Sequence, residues 1–225
     1  MIVIGMVLFE RMTQLDLTGP LEVFSRMPDT TVHLISKTLA PVQSDGILRI
    51  IPDTTFASCP KALTVLFIPG GRGISNILRD QEYLDFIKSR GNSTYITSVC
   101  TGSIVLAACG LLRGYKATTH WLSIELLAKF NVETAGARVV IDRNRVTGGG
   151  VTSGIDFGLT LASILCGEQC AKTIQLLMEY NPEPPFNSGH PDVAEKSVIK
   201  MVMDERVETQ RKRLEEIENY ILQNS

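Results

Sequence analysis

One cysteine of this chain lies where a nucleophile is commonly presented. The apolar, β-like run 94–99 ends at Cys100, the small residues Gly102 and Ser103 follow, and the helical run 104–108 comes next. A strand, a tight turn and a helix in that order form a nucleophile elbow. The helix start also offers unpaired N–H groups and a positive dipole end, which lower the pKa of a thiol. We therefore predict a reactive thiolate at Cys100, with a buried structural cysteine as the alternative.

Asp16 is the second candidate for chemistry. The apolar run 1–9 predicts a buried parallel strand, and residues 18–20 supply a capping residue and a proline suited to a first helical turn. Asp16 then lies in the loop after this strand, where ligands bind in open α/β sheets. The alternative is a surface carboxylate or a turn former. Beside a Cys100 thiolate, Asp16 is expected to share one proton with it.

A glycine-rich loop and a histidine complete the candidate set. Gly70 and Gly71 follow the apolar strand 62–68, and glycines free backbone N–H groups to face a developing negative charge. The spacing matches neither a phosphate-binding loop nor a dinucleotide fold, so neither ATP nor NAD is predicted. His120 precedes a predicted helix over 122–130. It is either a general base or a capping or packing residue, and the sequence leaves these open.

Composition narrows the class of protein. Among 225 residues, 22 Lys and Arg nearly balance 24 Asp and Glu, which favours neither nucleic acid nor an acidic membrane surface as partner. No apolar run is long enough to cross a bilayer. The cysteines show no disulfide or zinc spacing, so we predict no metal and a cytoplasmic protein. They are Cys59, Cys100, Cys109, Cys166 and Cys170.

Strands that alternate with helices predict an α/β fold. We expect a flavodoxin-like, doubly wound and mostly parallel sheet flanked by helices over residues 1–190. Residues 191–225 form a predicted C-terminal helical extension with a thin apolar stripe at Leu214, Ile217 and Ile221. This stripe packs on the body or on a partner subunit, or the helix is solvated; the pattern does not distinguish these.

Five segments of the chain carry a shared pattern, and they are 15–20, 69–71, 98–103, 117–121 and 147–156. Together they resemble the DJ-1/PfpI superfamily, and within it the isonitrile hydratase branch. The resemblance implies hydration of R–N≡C to an N-substituted formamide, without a cofactor, by a homodimer. It implies that Cys100 is the nucleophile, Asp16 its acidic partner and Thr101 a neighbouring hydroxyl.

Two departures distinguish this chain from other branches of the superfamily. The protease-like branch has His directly after the nucleophile, where this chain has Thr101, and the DJ-1 branch has Glu where this chain has Asp16. The resemblance further implies a set of backbone positions that bind the substrate or an oxyanion. They are Gly70, Gly71, Gly149, Gly150 and Val151.

Two other functions remain open at this point. The first is a ligand-sensing domain like those fused to helix-turn-helix activators, although the 35 residues from 191 to 225 are too few for the usual pair of DNA-reading motifs. The second is a redox-responsive protein in which Cys100 is oxidised and turns over no isonitrile.

Overall fold

The computed structural model describes residues 1–224, in which apolar strands alternate with helices. The strands are β1 (Ile2–Val7), β2 (Thr30–Ser36), β3 (Val42–Gln43), β4 (Arg49–Ile50), β5 (Thr54–Thr55), β6 (Val65–Ile68), β7 (Tyr95–Val99), β8 (Lys116–Ala117), β9 (Glu133–Thr134), β10 (Val139–Asp142) and β11 (Arg145–Gly148). The helices are α1 (Gln14–Phe24), α2 (Ile74–Ile77), α3 (Gln81–Ser89), α4 (Gly102–Ala108), α5 (Ile124–Ala128), α6 (Ser153–Cys166), α7 (Glu168–Leu177) and α8 (Lys196–Asn224).

Seven strands form the central sheet in the order β10-β11-β7-β6-β1-β2-β5. Every neighbouring pair is parallel except the β10–β11 hairpin. The predicted α/β class, a mostly parallel sheet flanked by helices with a further helix at the C-terminal end, is confirmed. Because β7, β6 and β1 are adjacent and parallel, their carboxyl ends meet at one edge of the sheet, where the candidate residues follow.

The start of α1 differs from the prediction. The helix begins at Gln14, after Thr13 in an extended conformation, so Asp16 lies in the first helical turn and not in a loop. Pro20 lies inside the helix, although proline lacks the N–H that would bond to the Asp16 carbonyl. Its ring fits against α6, where a Cβ at Gly154 would come within 3.0 Å of Pro20 Cδ. The packing of Pro20 against Gly154 therefore outweighs the local preference of the sequence for a later start of α1.

The helix predicted over 122–130 is also shorter than expected. Trp121–Ser123 form a 3-10 turn, and α5 then ends at Ala128. Within residues 1–224, none of the helices has the length and apolar character needed to cross a bilayer.

The C-terminal helix α8 packs on the body of its own chain. Ile217 is fully buried, and the Tyr220 hydroxyl donates to the Ala108 carbonyl at 2.7 Å. An ion pair between Lys129 and Glu218 at 2.9 Å adds a surface contact. Of the alternatives left open by the sequence, packing on the body is the one observed, while the domain division at residue 190 stays a prediction.

Gly102 allows α4 to start directly against the neighbouring strand. A Cβ at this position would lie 2.2 Å from the Ile68 carbonyl oxygen and 2.8 Å from that of Pro69. Both contacts are with backbone, which cannot move aside without distorting β6. The elbow therefore requires glycine here.

We expect Gly102→Ala to lower the free energy of unfolding by roughly 2 kcal/mol or more, because the new methyl group overlaps the backbone. Chemical denaturation measures this difference. Gly136→Ala is the matched control, since nothing lies within 4 Å of a Cβ there. Equal stability of the two variants would contradict this account of the elbow.

Candidate active site

Cys100 occupies a strained turn between β7 and α4. Its φ of 55° lies in the left-handed region, which residues other than glycine rarely adopt. Its N–H donates to the carbonyls of Gly148 at 3.0 Å and Gly149 at 2.8 Å. Its carbonyl accepts hydrogen bonds from Thr119 Oγ1 at 2.9 Å and Ser103 Oγ at 3.2 Å. The backbone of the elbow is thus fixed on both sides, as a nucleophile elbow requires.

Asp16 is fully buried beside this elbow. Its Oδ2 accepts a hydrogen bond from the Gly70 N–H at 3.0 Å, whereas Oδ1 has no hydrogen-bond partner among the described residues. A Cβ at Gly70 would come within 2.8 Å of both Asp16 Oδ2 and Cys100 Cβ, so the two side chains meet across this glycine. Burial raises the pKa of Asp16 from 3.8 to about 7, against the lowering effect of hydrogen bonds from Cys100 and Gly70.

The pKa of Cys100 is also raised, contrary to the expectation from the helix start. Burial is the largest cause and the Asp16 charge the second, while the Thr101 amide and the Arg213 guanidinium lower the pKa by less. The amide at the helix start does act on the sulfur, but desolvation of a nearly closed site outweighs it. Asp16 and Cys100 therefore hold at least one proton between them at neutral pH.

The amides of Gly70 and Gly71 have different partners from those predicted. Gly70 donates to Asp16, and Gly71 donates to Thr101 Oγ1 at 3.0 Å. Thr101 Oγ1 also lies 3.4 Å from the Gly71 carbonyl oxygen, to which it donates. These two amides therefore hold the carboxyl and the hydroxyl in place, and in this structure they are not free to bind an oxyanion.

The turn over residues 149–151 offers other donors. The Gly149 N–H donates to the Arg138 carbonyl at 2.9 Å. Within the described chain, no acceptor is hydrogen bonded to the amides of Gly150 and Val151. Val151 lines the same cavity as Cys100.

His120 acts as a cap in the structure. Its Nδ1 accepts a hydrogen bond from the Leu122 N–H at 3.3 Å, so the proton of the neutral ring is on Nε2. Burial lowers the pKa of His120 to about 4, and the positive charges of Arg213 and Arg206 lower it further. The imidazole is neutral at pH 7 and too weak a base for general-base catalysis at that pH. The geometry favours the capping alternative.

A cavity of about 430 Å³ opens in front of Cys100 and Thr101. His120 and Trp121 form part of its wall, and α8 supplies Val202, Arg206, Thr209, Gln210 and Arg213. The contribution of α8 was not predicted from the sequence. One signal was present, since Arg213 falls on the same helix face as the buried Ile217 and Tyr220. In residues 1–224, no three His, Cys, Asp or Glu side chains cluster as a metal site would require.

Comparison with known proteins identifies the family. The DJ-1/PfpI family profile matches residues 3–164. This chain belongs to the DJ-1/PfpI family. The predicted superfamily is thereby confirmed, and the elbow, the buried carboxyl and the cavity lie in or against the matched region of this DJ-1/PfpI protein.

Three relatives show how far the similarity extends. Isonitrile hydratase of Pseudomonas putida is 50% identical over 197 residues, which cover 87% of this chain and 86% of that protein. A crystal structure of a THiJ/PfpI family protein from Pseudomonas syringae is 43% identical with a TM-score of 0.93, over 96% of this chain and 90% of that one. The HTH-type transcriptional regulator GbdR of Pseudomonas aeruginosa is 27% identical over 79% of this chain but only 50% of its own length.

The buried carboxyl makes stability depend on pH. The pKa of Asp16 is higher in the folded protein than its usual 3.8. The favourable contribution of this carboxyl to the free energy of unfolding is therefore complete at low pH and is lost as the pH rises through about 7. We therefore expect Asp16→Asn to gain stability relative to wild type, by up to about 4 kcal/mol, between about pH 4 and pH 8.

Denaturant titrations at both pH values measure this gain. Thr18→Val, two residues further along α1, removes no titrating group, so its difference from wild type should be the same at both pH values. If the difference in the free energy of unfolding between Asp16→Asn and wild type did not change with pH, the pKa of Asp16 would not be raised by burial. That result would contradict this account.

Proposed function

We propose that this protein is an isonitrile hydratase that converts R–N≡C and water into R–NH–CHO through a covalent bond to Cys100. The observation that carries the proposal is the buried Asp16–Cys100 pair, in which a carboxyl that can hold a proton lies behind a nucleophile that lines the cavity. The similarity to isonitrile hydratase of Pseudomonas putida supports the same reaction. No cofactor takes part in this scheme.

The first step uses the single proton of the pair. Transfer of the thiol proton to the Asp16 carboxylate leaves a thiolate beside a neutral acid. The sulfur then bonds to the isonitrile carbon while Asp16 gives its proton to the same carbon, producing the thioimidate R–N=CH–S–Cys100. The carboxylate is regenerated, and one proton has moved from sulfur to carbon.

The second step hydrolyses the thioimidate. Asp16 accepts a proton from water as the oxygen bonds to the carbon and passes that proton to the imine nitrogen, giving R–NH–CH(OH)–S–Cys100. Collapse of this adduct breaks the C–S bond, releases the formamide R–NH–CHO and returns a proton to the pair. One water is consumed, and the enzyme regains its initial state.

Five neighbouring residues are assigned supporting roles in this scheme. Thr101 Oγ1, fixed by the Gly71 amide, orients the water or the adduct oxygen. The Val151 amide stabilises negative charge on the adduct, together with the adjacent Gly150. Neutral His120 donates from Nε2 and takes no proton. Gly149 contributes by holding the elbow through its carbonyl.

The structure offers less support for the redox alternative. Fast oxidation by peroxide requires an accessible thiolate of low pKa, whereas Cys100 is 6% exposed and its pKa is raised by burial. Ligand sensing remains the second candidate because GbdR shares the same domain. A screen of alkyl and aryl isonitriles for formamide distinguishes sensing from turnover.

We expect Cys100→Ala to abolish hydration, since no other group of the elbow forms the adduct. Cys100→Ser should be nearly inactive, because an alcohol has a far higher pKa than a thiol. Asp16→Asn should lose roughly 10²–10⁴-fold in turnover, the usual share of general acid–base catalysis. Formamide production by chromatography measures all three.

The matched control is Cys166→Ala, which removes a half-buried cysteine on α6 and should retain wild-type turnover. Near-full activity of Asp16→Asn would mean that Asp16 serves only to hold the turn, and the acid–base assignment would be wrong.

We further propose that the protein is a cytoplasmic homodimer. The family resemblance implies the dimer, and exposed apolar side chains on β10, α6 and α7 support it. Ile141 and Ile164 border a shallow groove along α6 and α7, and Leu176 and Leu177 of α7 are 82% and 70% exposed. Monomeric proteins seldom expose this many large apolar side chains to solvent.

Light scattering at micromolar concentration should give about twice the chain mass of 24.7 kDa. Leu177→Glu should lower the measured mass, since it places a charge in the proposed interface, while Met201→Glu on α8 should not. A mass near that of one chain for the wild type would refute the dimer.

A further inference from the structure

Helix α8 carries an arginine into the active-site cavity. Arg213 is 5% exposed and lines the cavity together with Cys100 and Thr101. Its Nη2 donates to the Gly71 carbonyl at 3.2 Å, and its Nη1 donates to Ser123 Oγ at 3.2 Å. The guanidinium is therefore fixed beside the elbow by neutral acceptors.

This buried charge has no carboxylate partner. In the part of the chain that the structure describes, no Asp or Glu lies within salt-bridge distance of Arg213, and its Nε has no hydrogen-bond partner. Arg211, on the exposed side of the same helix, pairs with both Glu208 and Glu215. An unpaired buried cation is costly, so a negative charge is expected to form next to it.

The sulfur of Cys100 is the group that can supply this charge. Burial lowers the pKa of Arg213, charge on Cys100 raises it, and the like charge of Arg206 in the same cavity lowers it. Arg213 in turn lowers the pKa of Cys100, whereas the groups that act on Asp16 are Cys100, Gly70 and Asp45. The guanidinium thus acts on one member of the pair and leaves the other to receive the proton.

We propose that Arg213 is a positioning residue that supplies the counter-charge for the Cys100 thiolate, so that the shared proton moves to Asp16. Because α8 lies beyond residues 3–164, the active site is completed by a helix outside the region that the family profile matches. This role concerns the thiolate itself and does not depend on which substrate the enzyme hydrates.

The test is the pH profile of Cys100 alkylation by iodoacetamide, followed by peptide mass spectrometry. Arg213→Gln should raise the midpoint by about one pH unit and slow alkylation about tenfold at neutral pH, with the same rate at high pH. Arg213→Lys should restore most of the wild-type midpoint, because it keeps the charge. Arg211→Met, the control on the exposed side of α8, should match wild type.

A second readout distinguishes an electrostatic role of Arg213 from a structural role as a tether for α8. A cation beside the sulfur favours the anionic reagent iodoacetate over neutral iodoacetamide, so Arg213→Gln should lower the ratio of the two rates and Arg213→Lys should restore it. An unchanged midpoint and ratio in a folded Arg213→Gln protein would overturn the proposal and leave Arg213 as a tether for α8.

Arg206→Gln protein, which lacks the other guanidinium that α8 brings to the cavity, provides the test if Arg213→Gln does not fold. The rate ratio at Cys100 is then compared with that of N-acetylcysteine amide, a neutral thiol in solution. A higher ratio at Cys100 supports the counter-charge, and an equal or lower ratio overturns it. Isonitrile turnover enters neither comparison, so failure of the proposed reaction would leave this result unaffected.

Discussion

The buried contact between the Asp16 carboxyl and the Cys100 thiol is the constraint on which the site depends. Two acidic groups removed from water cannot both ionise, so one proton is retained and moves between them. The adjacent strands β1, β6 and β7 bring the two groups together, since α1, the Gly70 loop and the elbow follow their carboxyl ends. A larger residue at Gly70 would separate them.

This constraint suits the chemistry of an isonitrile. The terminal carbon of R–N≡C must receive both a nucleophile and a proton, and a permanently ionised thiolate would supply only the first. The pKa of the Cys100 thiol is raised by burial, and that of the adjacent Asp16 carboxyl is raised to about 7. The two groups together supply the nucleophile and the proton from one location. The raised pKa of Cys100 thus fits its proposed role, although the helix start alone predicts the opposite direction.

The sequence was sufficient to predict the sheet and the elbow because both depend on local signals. The apolar runs define the strands, and Cys100 between a strand and small residues defines the turn. The start of α1 depends instead on how Pro20 meets Gly154, a contact between residues far apart in the chain. Arg213 was missed for the same reason, because an arginine on an apolar helix face reveals its purpose only when the helix is docked.

The sharing of a proton by Asp16 and Cys100 is tested most directly by titrating the thiolate through its ultraviolet absorbance. Cys100→Ser provides the baseline. In the wild type we expect thiolate to appear in two steps, as coupled groups require. In Asp16→Asn we expect a single step at lower pH than the second wild-type step, because the carboxylate charge that raises the pKa of Cys100 is gone. Identical titrations of the two proteins would contradict the shared proton and the mechanism built on it.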